Sequence, residues 1–367
     1  MKVVIDNIIF SLQKSGGISV YWYEMINRIL KKSRVNSFFI EDKENCVNIF
    51  RSNLKIEDTN KLKNKVYLFN YLHRFREINL QLRNDSFIFH STYYRTLNKS
   101  LKKKNNVIEV VTVHDFIYER YFNGLKKWVH LWQKKKAIKA ADVIICISEN
   151  TKNDLIHFYP KFSQKDIRVI YNGVSDNYYV INQSKIEFDN KPYFLFVGSR
   201  AKYKNFDFVV KAVSLDNKYV LKIVGCKLSK NELLLLDLYL FGRWQLLDNV
   251  DNIELNILYN HAFALLYPSS YEGFGIPILE AMKAGCPFIA LNGSAITEVA
   301  GNAGFLMNKL SLIEFKIGVD LIEINRGKLI SLGLIQANLF SWDKCFAEIF
   351  EIYKELDKKI TINFNNK

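Results

Sequence analysis

Short runs of β-branched and aromatic residues alternate with longer helical patterns along most of this chain. This alternation is typical of βαβ units, in which helices connect parallel strands. It occurs in two series. The first predicts strands at 2–9, 37–40, 87–90, 108–113, 143–147 and 168–171, and the second at 193–197, 220–224, 252–254, 262–267 and 288–290. Each series predicts a doubly wound parallel sheet.

The two series are separated by the polar segment 175–192, which lacks periodicity and ends in Pro192. Such a segment is typical of a linker, and 367 residues exceed what one hydrophobic core usually supports. We therefore predict an N-terminal domain at 1–183 and a C-terminal domain at 184–344. A helix at 345–358 is expected to pack back onto the first domain.

The stretch 272–280 reads EGFGIPILE and directly follows the strand predicted at 262–267. Pro277 suits the first turn of a helix, so the pattern predicts a strand, a glycine loop and a helix. The N-terminus of that helix would point N–H groups at the carboxyl edge of the sheet, where ligands of such sheets bind. Because Gly273 and Gly275 lack a Cβ, backbone amides can approach an anion closely, and a phosphate is the expected ligand.

Glu272 and Glu280 flank this loop and are expected to have different roles. Glu280, placed in the first helical turn, can accept hydrogen bonds from paired hydroxyls such as those of a ribose. Glu272, on the loop, can face the hydroxyls of a sugar. Carboxylates also favour helix N-termini for structural reasons worth only ~0.3–1 kcal/mol, so a purely structural role stays open for each.

A basic loop, GSRAKYKN at 198–205, follows the first strand of the second series. It places cations at the same sheet edge, where they would stabilise the negative charge that grows on a departing diphosphate. Lys204 is the first candidate for this role and Arg200 the second, while Lys202 is interpreted as a solvated neighbour. The alternative is an exposed basic turn without a ligand.

Together these motifs resemble the family 4 glycosyltransferases of the GT-B fold, retaining enzymes that build bacterial surface polysaccharides. The resemblance spans nearly the whole chain. Further motifs that carry it are GGI at 16–18, FHSTYY at 89–94, TVHD at 112–115, AD at 141–142 through SE at 148–149, and NGV at 172–174. It implies an α/β GT-B fold, in which two doubly wound Rossmann-like domains face each other across a cleft that holds the active site.

The resemblance also implies roles for individual residues. Glu280 would hold the donor ribose, and Lys204 with a nearby arginine would hold the diphosphate. The implied donor-binding residues are Gly16, Gly17, Ser199, Arg200, Lys204, Glu272, Gly273, Phe274, Gly275, Ile276 and Glu280. The implied catalytic residues are His114, Glu272, Lys204 and Arg200. Similar enzymes often have Pro-Arg-Lys where this chain has KYK at 202–204, so Arg200 is expected to replace the usual arginine.

His114 follows the strand predicted at 108–113, at the carboxyl end where catalytic residues collect in such sheets. The resemblance places it beside the transferred sugar, and a buried structural histidine is the alternative. His90 lies at the end of another predicted strand, and both a site role and a structural role stay open for it. The remaining histidines, His73, His130, His157 and His261, show no metal-ligand spacing. We therefore expect neither a cofactor nor a metal ion.

The resemblance further implies retaining transfer of a hexose, with mannose expected first, from a nucleotide-diphosphate sugar to a lipid-linked or oligosaccharide acceptor. The product would belong to a surface polysaccharide such as O-antigen, lipopolysaccharide or capsule. A GDP-sugar is the donor expected first, and UDP- or dTDP-sugars are alternatives. No enzymic nucleophile is evident, so a same-face attack is preferred in which the leaving phosphate accepts the proton.

The net charge of +15 lies entirely in residues 1–185, which hold 32 Lys and Arg against 17 Asp and Glu. Lysine clusters at 102–104, 126–127 and 134–139 either attract an anionic membrane or form a solvated face. A different class of function stays open, namely a noncatalytic protein that binds a polyanion or nucleic acid through this domain. No known nucleic-acid module is matched, so nucleic acid is not the expected partner.

Five scattered cysteines form no CxxC pair, which favours a reducing compartment. Neither a signal peptide nor a membrane-spanning stretch is apparent in the sequence. We therefore expect a cytoplasmic protein that associates peripherally with the cytosolic face of the inner membrane, where a lipid-linked acceptor would lie.

Overall fold

The computed structural model of the chain describes residues 1–41, 46, 48–62, 75–82, 84–181 and 191–365. Contacts divide the chain into two α/β domains. The first comprises Met1–Asn172 together with Trp342–Lys367, and the second comprises Gly173–Ser341. The boundary that the sequence predicts between 183 and 184 falls outside the described residues.

The first domain is built on a parallel sheet whose described strands have the order β3-β2-β1-β4-β5-β6-β7. These strands are β1 (Lys2–Asp6), β2 (Asn36–Ile40), β3 (Lys61–Leu62), β4 (Ser86–Ser91), β5 (Asn106–Val113), β6 (Val143–Cys146) and β7 (Asp166–Val169). The order reverses between β1 and β4, which places a crevice at the carboxyl edge beside these two strands.

Helices cover the first sheet, and most of them bury apolar side chains. They are α1 (Ile9–Leu12), α2 (Gly17–Ile29), α3 (Ile49–Ser52), α4 (Lys99–Lys104), α5 (Ile117–Tyr121), α6 (Gly124–Ala140) and α7 (Glu149–Phe158). The strand predicted at 2–9 is shorter than expected, since the chain leaves β1 after Asp6 and bends into α1.

The second domain repeats this plan, with a six-stranded parallel sheet in the order β10-β9-β8-β11-β12-β13 among the residues described. Its strands are β8 (Tyr193–Val197), β9 (Val220–Val224), β10 (Trp244–Leu247), β11 (Ala264–Tyr267), β12 (Phe288–Leu291) and β13 (Phe305–Met307). Its helices are α8 (Phe206–Val213), α9 (Lys230–Leu240), α10 (Asn252–His261), α11 (Ile276–Lys283), α12 (Ser294–Ala300) and α13 (Leu312–Ala337). The order reverses between β8 and β11, so the two doubly wound sheets predicted from the sequence are present.

One predicted strand of the second domain was wrong. Residues 252–254 begin α10, and the strand of this region is β10, a few residues earlier. The Asp251 side chain accepts hydrogen bonds from the Ile253 and Glu254 amides, and the Glu254 side chain accepts one from the Asp251 amide. This reciprocal capping starts a helix at the point where the apolar residues alone had favoured a strand. The short strand β13 was not predicted.

The chain returns to the first domain as α14 (Trp342–Asn365), which includes the helix expected at 345–358. The Tyr353 hydroxyl lies 2.7 Å from His90 Nδ1, and the other ring nitrogen of His90 lies 3.0 Å from Thr112 Oγ1. His90 is completely buried, and this burial lowers its pKa to about 3. With both ring nitrogens hydrogen-bonded, His90 has the structural role that the sequence left open.

The helices of the described residues were also compared with the requirements of a membrane span. None of them is both long enough and apolar enough to cross a bilayer.

Candidate active site

Two loops of the second domain emerge where its strand order reverses. The basic loop 198–205 follows β8, and the glycine loop follows β11 and leads into α11. Because β8 and β11 are parallel neighbours in the sheet, the loops after them leave the same edge side by side. The two sequence motifs predicted to bind the diphosphate of a ligand are therefore adjacent.

Hydrogen bonds hold these two loops together. The Ser270 amide donates to the Tyr203 carbonyl oxygen at 2.8 Å. Asn205 Nδ2 donates to the Pro268 carbonyl oxygen and to Ser270 Oγ, each at 2.7 Å. Asn205 has a φ of 53°, a left-handed conformation that asparagine adopts more readily than most residues. These contacts fix Lys204, which precedes Asn205, beside the glycine loop.

Lys204 and Glu272 form an ion pair between the two loops. Their side chains are only 12% and 10% exposed, so the pair is poorly screened by solvent. Lys204 Nζ also lies 3.3 Å from the Tyr267 hydroxyl oxygen. An ammonium group has three N–H donors, so Lys204 can bind an anion in addition to these two partners. The structure thus brings together two of the predicted site residues.

Tyr267, the last residue of β11, relates this ion pair to the second glutamate. Burial, followed by the charges of Glu272 and Glu280, raises the pKa of the Tyr267 hydroxyl well above its usual range. The hydroxyl therefore keeps its proton and can donate a hydrogen bond. The charges of both glutamates act on this one hydroxyl, so both lie near the end of β11. That they bind one ligand stays a prediction.

The helix α11 begins at Ile276, directly after Gly275, whose φ of 109° would be strained for any residue with a Cβ. Pro277 lies in the first turn, as predicted. Glu280 does not, because it is the fifth residue of the helix and no acid occupies the first turn. No carboxylate in the first turn of α11 therefore neutralises the positive end of the helix dipole. This arrangement favours the binding of an external anion.

Glu280 instead lies beside two tyrosines from other parts of the domain. The Tyr259 hydroxyl donates to Glu280 Oε2 at 2.9 Å. The Tyr178 hydroxyl lies nearby and donates to Asn252 Oδ1 at 3.3 Å. Burial raises the pKa of Glu280 to about 7, and the hydroxyl groups of Tyr259 and Tyr178 oppose that rise. The carboxylate is therefore held in a fixed orientation and changes charge near neutral pH.

Hydrogen bonds to other residues of this chain hold the Arg200 side chain in place. Its Nε donates to Glu232 Oε1 at 2.9 Å, and its Nη2 donates to the carbonyl oxygens of Cys226 and Lys227, both at 2.7 Å. The side chain is only 4% exposed. Nη1 has no hydrogen-bond partner among the described residues, and it lies beside Gly225. A contact of Arg200 with a diphosphate stays a prediction.

The remaining predicted residues of the second domain lie on the same two loops. Lys202 is exposed, as expected for a solvated neighbour. Ser199 is exposed as well, and its contact with the donor stays a prediction. Gly273 and Phe274 are buried, and the Phe274 ring packs edge-on against Phe340 with ring centres 5.8 Å apart. Phe274 therefore contributes to the packing that fixes the loop, and its backbone is the part predicted to bind the donor.

In the first domain, the predicted glycines lie at the start of α2. Gly16 is the N-cap residue and Gly17 the first helical residue. Ser19 Oγ donates to the Gly16 carbonyl oxygen at 2.9 Å, which stabilises this first turn. Helix α2 has thirteen residues, so its N-terminus carries the positive end of a helix dipole. Binding of phosphate by Gly16 and Gly17 stays a prediction.

His114 lies directly after β5, at the carboxyl edge of the first sheet. Its ring contacts the Tyr21 ring edge to face, with ring centres 5.0 Å apart. Burial, with a smaller effect of the Lys134 charge, lowers the pKa of His114 to about 3, so the imidazole is neutral at physiological pH. Its Nε2 is buried and has no hydrogen-bond partner within the described part of the chain. Such an atom can accept or donate a hydrogen bond with a ligand.

Sequence reasoning did not identify several residues that shape this site. Tyr178, Tyr259 and Tyr267 surround the two glutamates, and Ser294 accepts a hydrogen bond from the Glu272 amide at 3.0 Å. Tyr267 could have been found, because it ends the strand that precedes the glycine loop. Tyr178 and Tyr259 carry no such signal, since each comes from a distant segment.

Comparison with protein families finds two matches that lie one after the other along the chain. Residues 15–178 match the model described as Glycosyltransferase Family 4, and residues 180–326 match the model described as Glycosyl transferases group 1. The first match covers most of the first domain, and the second includes both loops of the site.

Curated relatives agree with these matches, and a solved structure has a similar fold. The O-antigen chain mannosyltransferase RfbU of Salmonella typhimurium is 30% identical over 207 residues, which are 54% of this chain and 56% of that protein. The O-antigen chain mannosyltransferase B of Escherichia coli is 38% identical over 110 residues, 29% of each chain. The chain thus spans about half or less of the length of these relatives. A sucrose-phosphate synthase from Thermosynechococcus elongatus superposes with a TM-score of 0.76 at 15% identity, over 98% of this chain and 99% of the other.

Proposed function

The chain belongs to the family 4 glycosyltransferases of the GT-B fold, and we propose a function from this premise. The protein transfers a hexose from a nucleotide-diphosphate sugar to a glycan acceptor, and mannose is the hexose expected first. Two relatives are named as O-antigen chain mannosyltransferases, which supports mannose and a role in O-antigen or related polysaccharide synthesis. The observation that carries the proposal is the joint position of Lys204, Glu272 and Glu280 beside the N-terminus of α11.

In this proposal, each group of the site binds one part of the donor. Glu280 accepts hydrogen bonds from the ribose hydroxyls, and its orientation is already set by the hydrogen bond from Tyr259. The amides at the start of α11 and the Lys204 ammonium bind the diphosphate. As Lys204 shifts toward the phosphate, Glu272 becomes able to accept hydrogen bonds from the sugar hydroxyls.

The proposed reaction retains the configuration of the sugar. The acceptor oxygen forms a bond to the anomeric carbon on the face from which the diphosphate departs, and the carbon–oxygen bond to the phosphate breaks. The acceptor proton passes to the leaving phosphate oxygen, so no enzymic nucleophile and no metal ion takes part. Lys204 and the α11 amides stabilise the charge that grows on the leaving group.

The acceptor in this proposal is a lipid-linked glycan, and the protein acts in the cytoplasm at the inner membrane. The basic character of the first half of the sequence supports contact with an anionic surface. Binding of a nucleic acid is not part of the proposal.

A panel of nucleotides tests the donor site directly. We expect one of GDP, UDP, dTDP and ADP, with GDP first, to raise the thermal unfolding temperature when chelator is present. A nucleotide at a hundred times its Kd stabilises the folded state by about 2.7 kcal/mol, which is a shift of several degrees for domains of this size.

The panel has a clear negative outcome. If none of the nucleotides shifts the transition at millimolar concentration while nucleic acid does, the polyanion-binding alternative is favoured and the glycosyltransferase proposal fails. The same panel repeated with Mg²⁺ checks metal independence, because a shift that appears only with the metal would contradict it.

We propose in addition that His114 of the first domain contacts the transferred sugar, and its substitution tests this role. His114→Phe preserves the bulk of the buried ring and removes Nε2, so we expect kcat/KM to fall about 10- to 1,000-fold with unchanged nucleotide stabilisation. The thermal unfolding temperature should stay equal or rise, because a buried polar atom without a partner in the described protein is removed. A structural histidine would give the opposite pair of results, a loss of stability with normal activity.

A further inference from the structure

Helix α6 (Gly124–Ala140) exposes its largest apolar side chains and buries several polar ones. The face that packs against the first domain buries His130, Gln133 and Lys134 together with the smaller apolar residues Ala137 and Ile138. The opposite face exposes large apolar side chains, namely Leu125 at 76%, Trp128 at 68% and Trp132 at 45%. An amphipathic helix of a globular protein normally has the reverse arrangement, so the exposed apolar residues need a partner outside the domain.

These exposed residues form one continuous surface, which we call the tryptophan stripe (Leu125, Trp128 and Trp132). They are spaced by three and four residues, so they lie on one side of the helix. Tyr121 and Phe122, directly before the helix, are also exposed at 41% and 37%. Large aromatic side chains with one polar atom are the residues that favour the boundary between lipid headgroups and acyl chains.

Two lysine side chains lie on the same side of the helix, after the tryptophan stripe. Lys135 and Lys139 follow Trp132 by three and seven residues, and both are exposed. Neither forms an ion pair with another residue in the described ranges, whereas the neighbouring Lys136 is paired with Glu77 at 2.7 Å. Two uncompensated ammonium groups beside an aromatic surface match a bilayer that contains anionic lipid.

The structure also connects this helix to the loop that carries His114, at the carboxyl edge of the first sheet. Lys134, on the buried face, donates to the Asp115 carbonyl oxygen and to Glu119 Oε2, each at 2.8 Å. Asp115 follows His114, so α6 is fastened to the loop that carries this histidine. A membrane bound to the outer face of α6 would therefore lie at a fixed position relative to the edge where His114 lies.

We propose that the tryptophan stripe and the adjacent Lys135 and Lys139 dock the first domain onto an anionic lipid bilayer. This inference rests on the proposed function, in that it identifies the surface through which a lipid-linked acceptor reaches the enzyme. The aromatic side chains enter the headgroup region, and the two lysines bind the phosphate groups of anionic lipids.

Vesicle binding tests this surface without any enzymatic assay. We expect the full chain to float with vesicles of equal phosphatidylcholine and phosphatidylglycerol and not with phosphatidylcholine alone. Brominated lipid should quench part of the tryptophan fluorescence, since Trp22 and Trp342 are buried and Trp128 and Trp132 would enter the lipid. Trp128→Ser with Trp132→Ser should abolish flotation, and Lys135→Gln with Lys139→Gln should weaken it about fivefold for each lysine.

Matched controls come from the second domain. Leu234 and Leu238 on α9 are exposed at 69% and 66%, so their joint change to Ser removes a similar apolar surface and should leave flotation intact. Lys230→Gln with Lys316→Gln is the matched charge control, because both lysines are exposed. Nucleotide stabilisation should be unchanged in every variant, which separates failure of this surface from failure of the donor site.

Several results would overturn the proposal. Flotation of the Trp128→Ser, Trp132→Ser variant at the level of the parent would exclude the stripe as the docking surface. Equal loss in the α9 control would show that any exposed apolar residue suffices. A parent that forms a dimer which the same double substitution dissociates, without binding vesicles, would assign the stripe to a second copy of the chain.

Discussion

Lys204→Ala is expected to lower kcat by about a hundred- to a thousandfold, the usual effect of removing one preorganised group that stabilises transition-state charge. Lys204 lies between the carboxylate of Glu272 and the hydroxyl of Tyr267, next to the N-terminus of α11. Its charge is held in place before the donor arrives, so little reorganisation is needed as the diphosphate leaves. Steady-state transfer rates with saturating donor measure this effect.

The Lys204→Ala substitution also lowers the stability of the protein, so control variants must separate the loss of stability from the loss of activity. Removing Lys204 leaves the Glu272 carboxylate buried without its cation, which destabilises the domain. The double variant Lys204→Met, Glu272→Gln removes both charges and should recover most of the lost stability without recovering activity. Lys202→Ala, on the exposed side of the same loop, should be nearly normal in both respects. An active Lys204→Ala enzyme would remove Lys204 from the mechanism.

The position of Lys204 beside Glu272 could be predicted from the sequence because it depends on topology. A doubly wound sheet places the loops after its first and fourth strands side by side, and both loops carry recognisable residues. The strands themselves are apolar runs bounded by polar segments, so most of them were found within a few residues. Gly275 and Pro277 were likewise predictable, because glycine suits the left-handed residue before the helix and proline suits its first turn.

The surroundings of these residues could not be predicted, because they depend on contacts between distant segments. Tyr259 is 21 residues from Glu280, and Glu232 is 32 residues from its partner Arg200. No local pattern marks either pair. The strand predicted at 252–254 failed for a related reason, since capping by Asp251 outweighed the apolar character of the residues that follow.

The exposed face of α6 illustrates the same limit in another form. Its sequence contains apolar and basic residues in nearly equal measure, and helical spacing alone would direct Trp128 and Trp132 toward the core. Tertiary contacts reverse this expectation, because Lys134 is buried by its bonds to Glu119 and Asp115. The lysine cluster at 134–139 is therefore divided between a structural cation and exposed ones.

Glu280→Gln is expected to lower kcat/KM for the donor by about a hundredfold or more, since a carboxylate that accepts charge-assisted hydrogen bonds from two ribose hydroxyls is replaced by a neutral amide. Because the pKa of Glu280 is about 7, the affinity of the parent for nucleotide should rise as the pH increases from 6 to 8. The affinity of the variant should stay flat over this range. Calorimetric titration at several pH values measures both.

The same substitution is expected to stabilise the protein at alkaline pH. Burial raises the pKa of Glu280 from 4.5 to about 7, so its contribution to stability is complete below 4.5 and is lost as the pH rises through 7. Gln cannot ionise, and the variant should exceed the parent by about 1–3 kcal/mol at pH 8 while matching it near pH 4.5. Calorimetric unfolding of both proteins at these pH values measures the difference. Equal stability at pH 8 would mean that Glu280 is already ionised in the folded protein at lower pH, and the expected rise of nucleotide affinity between pH 6 and 8 would be wrong.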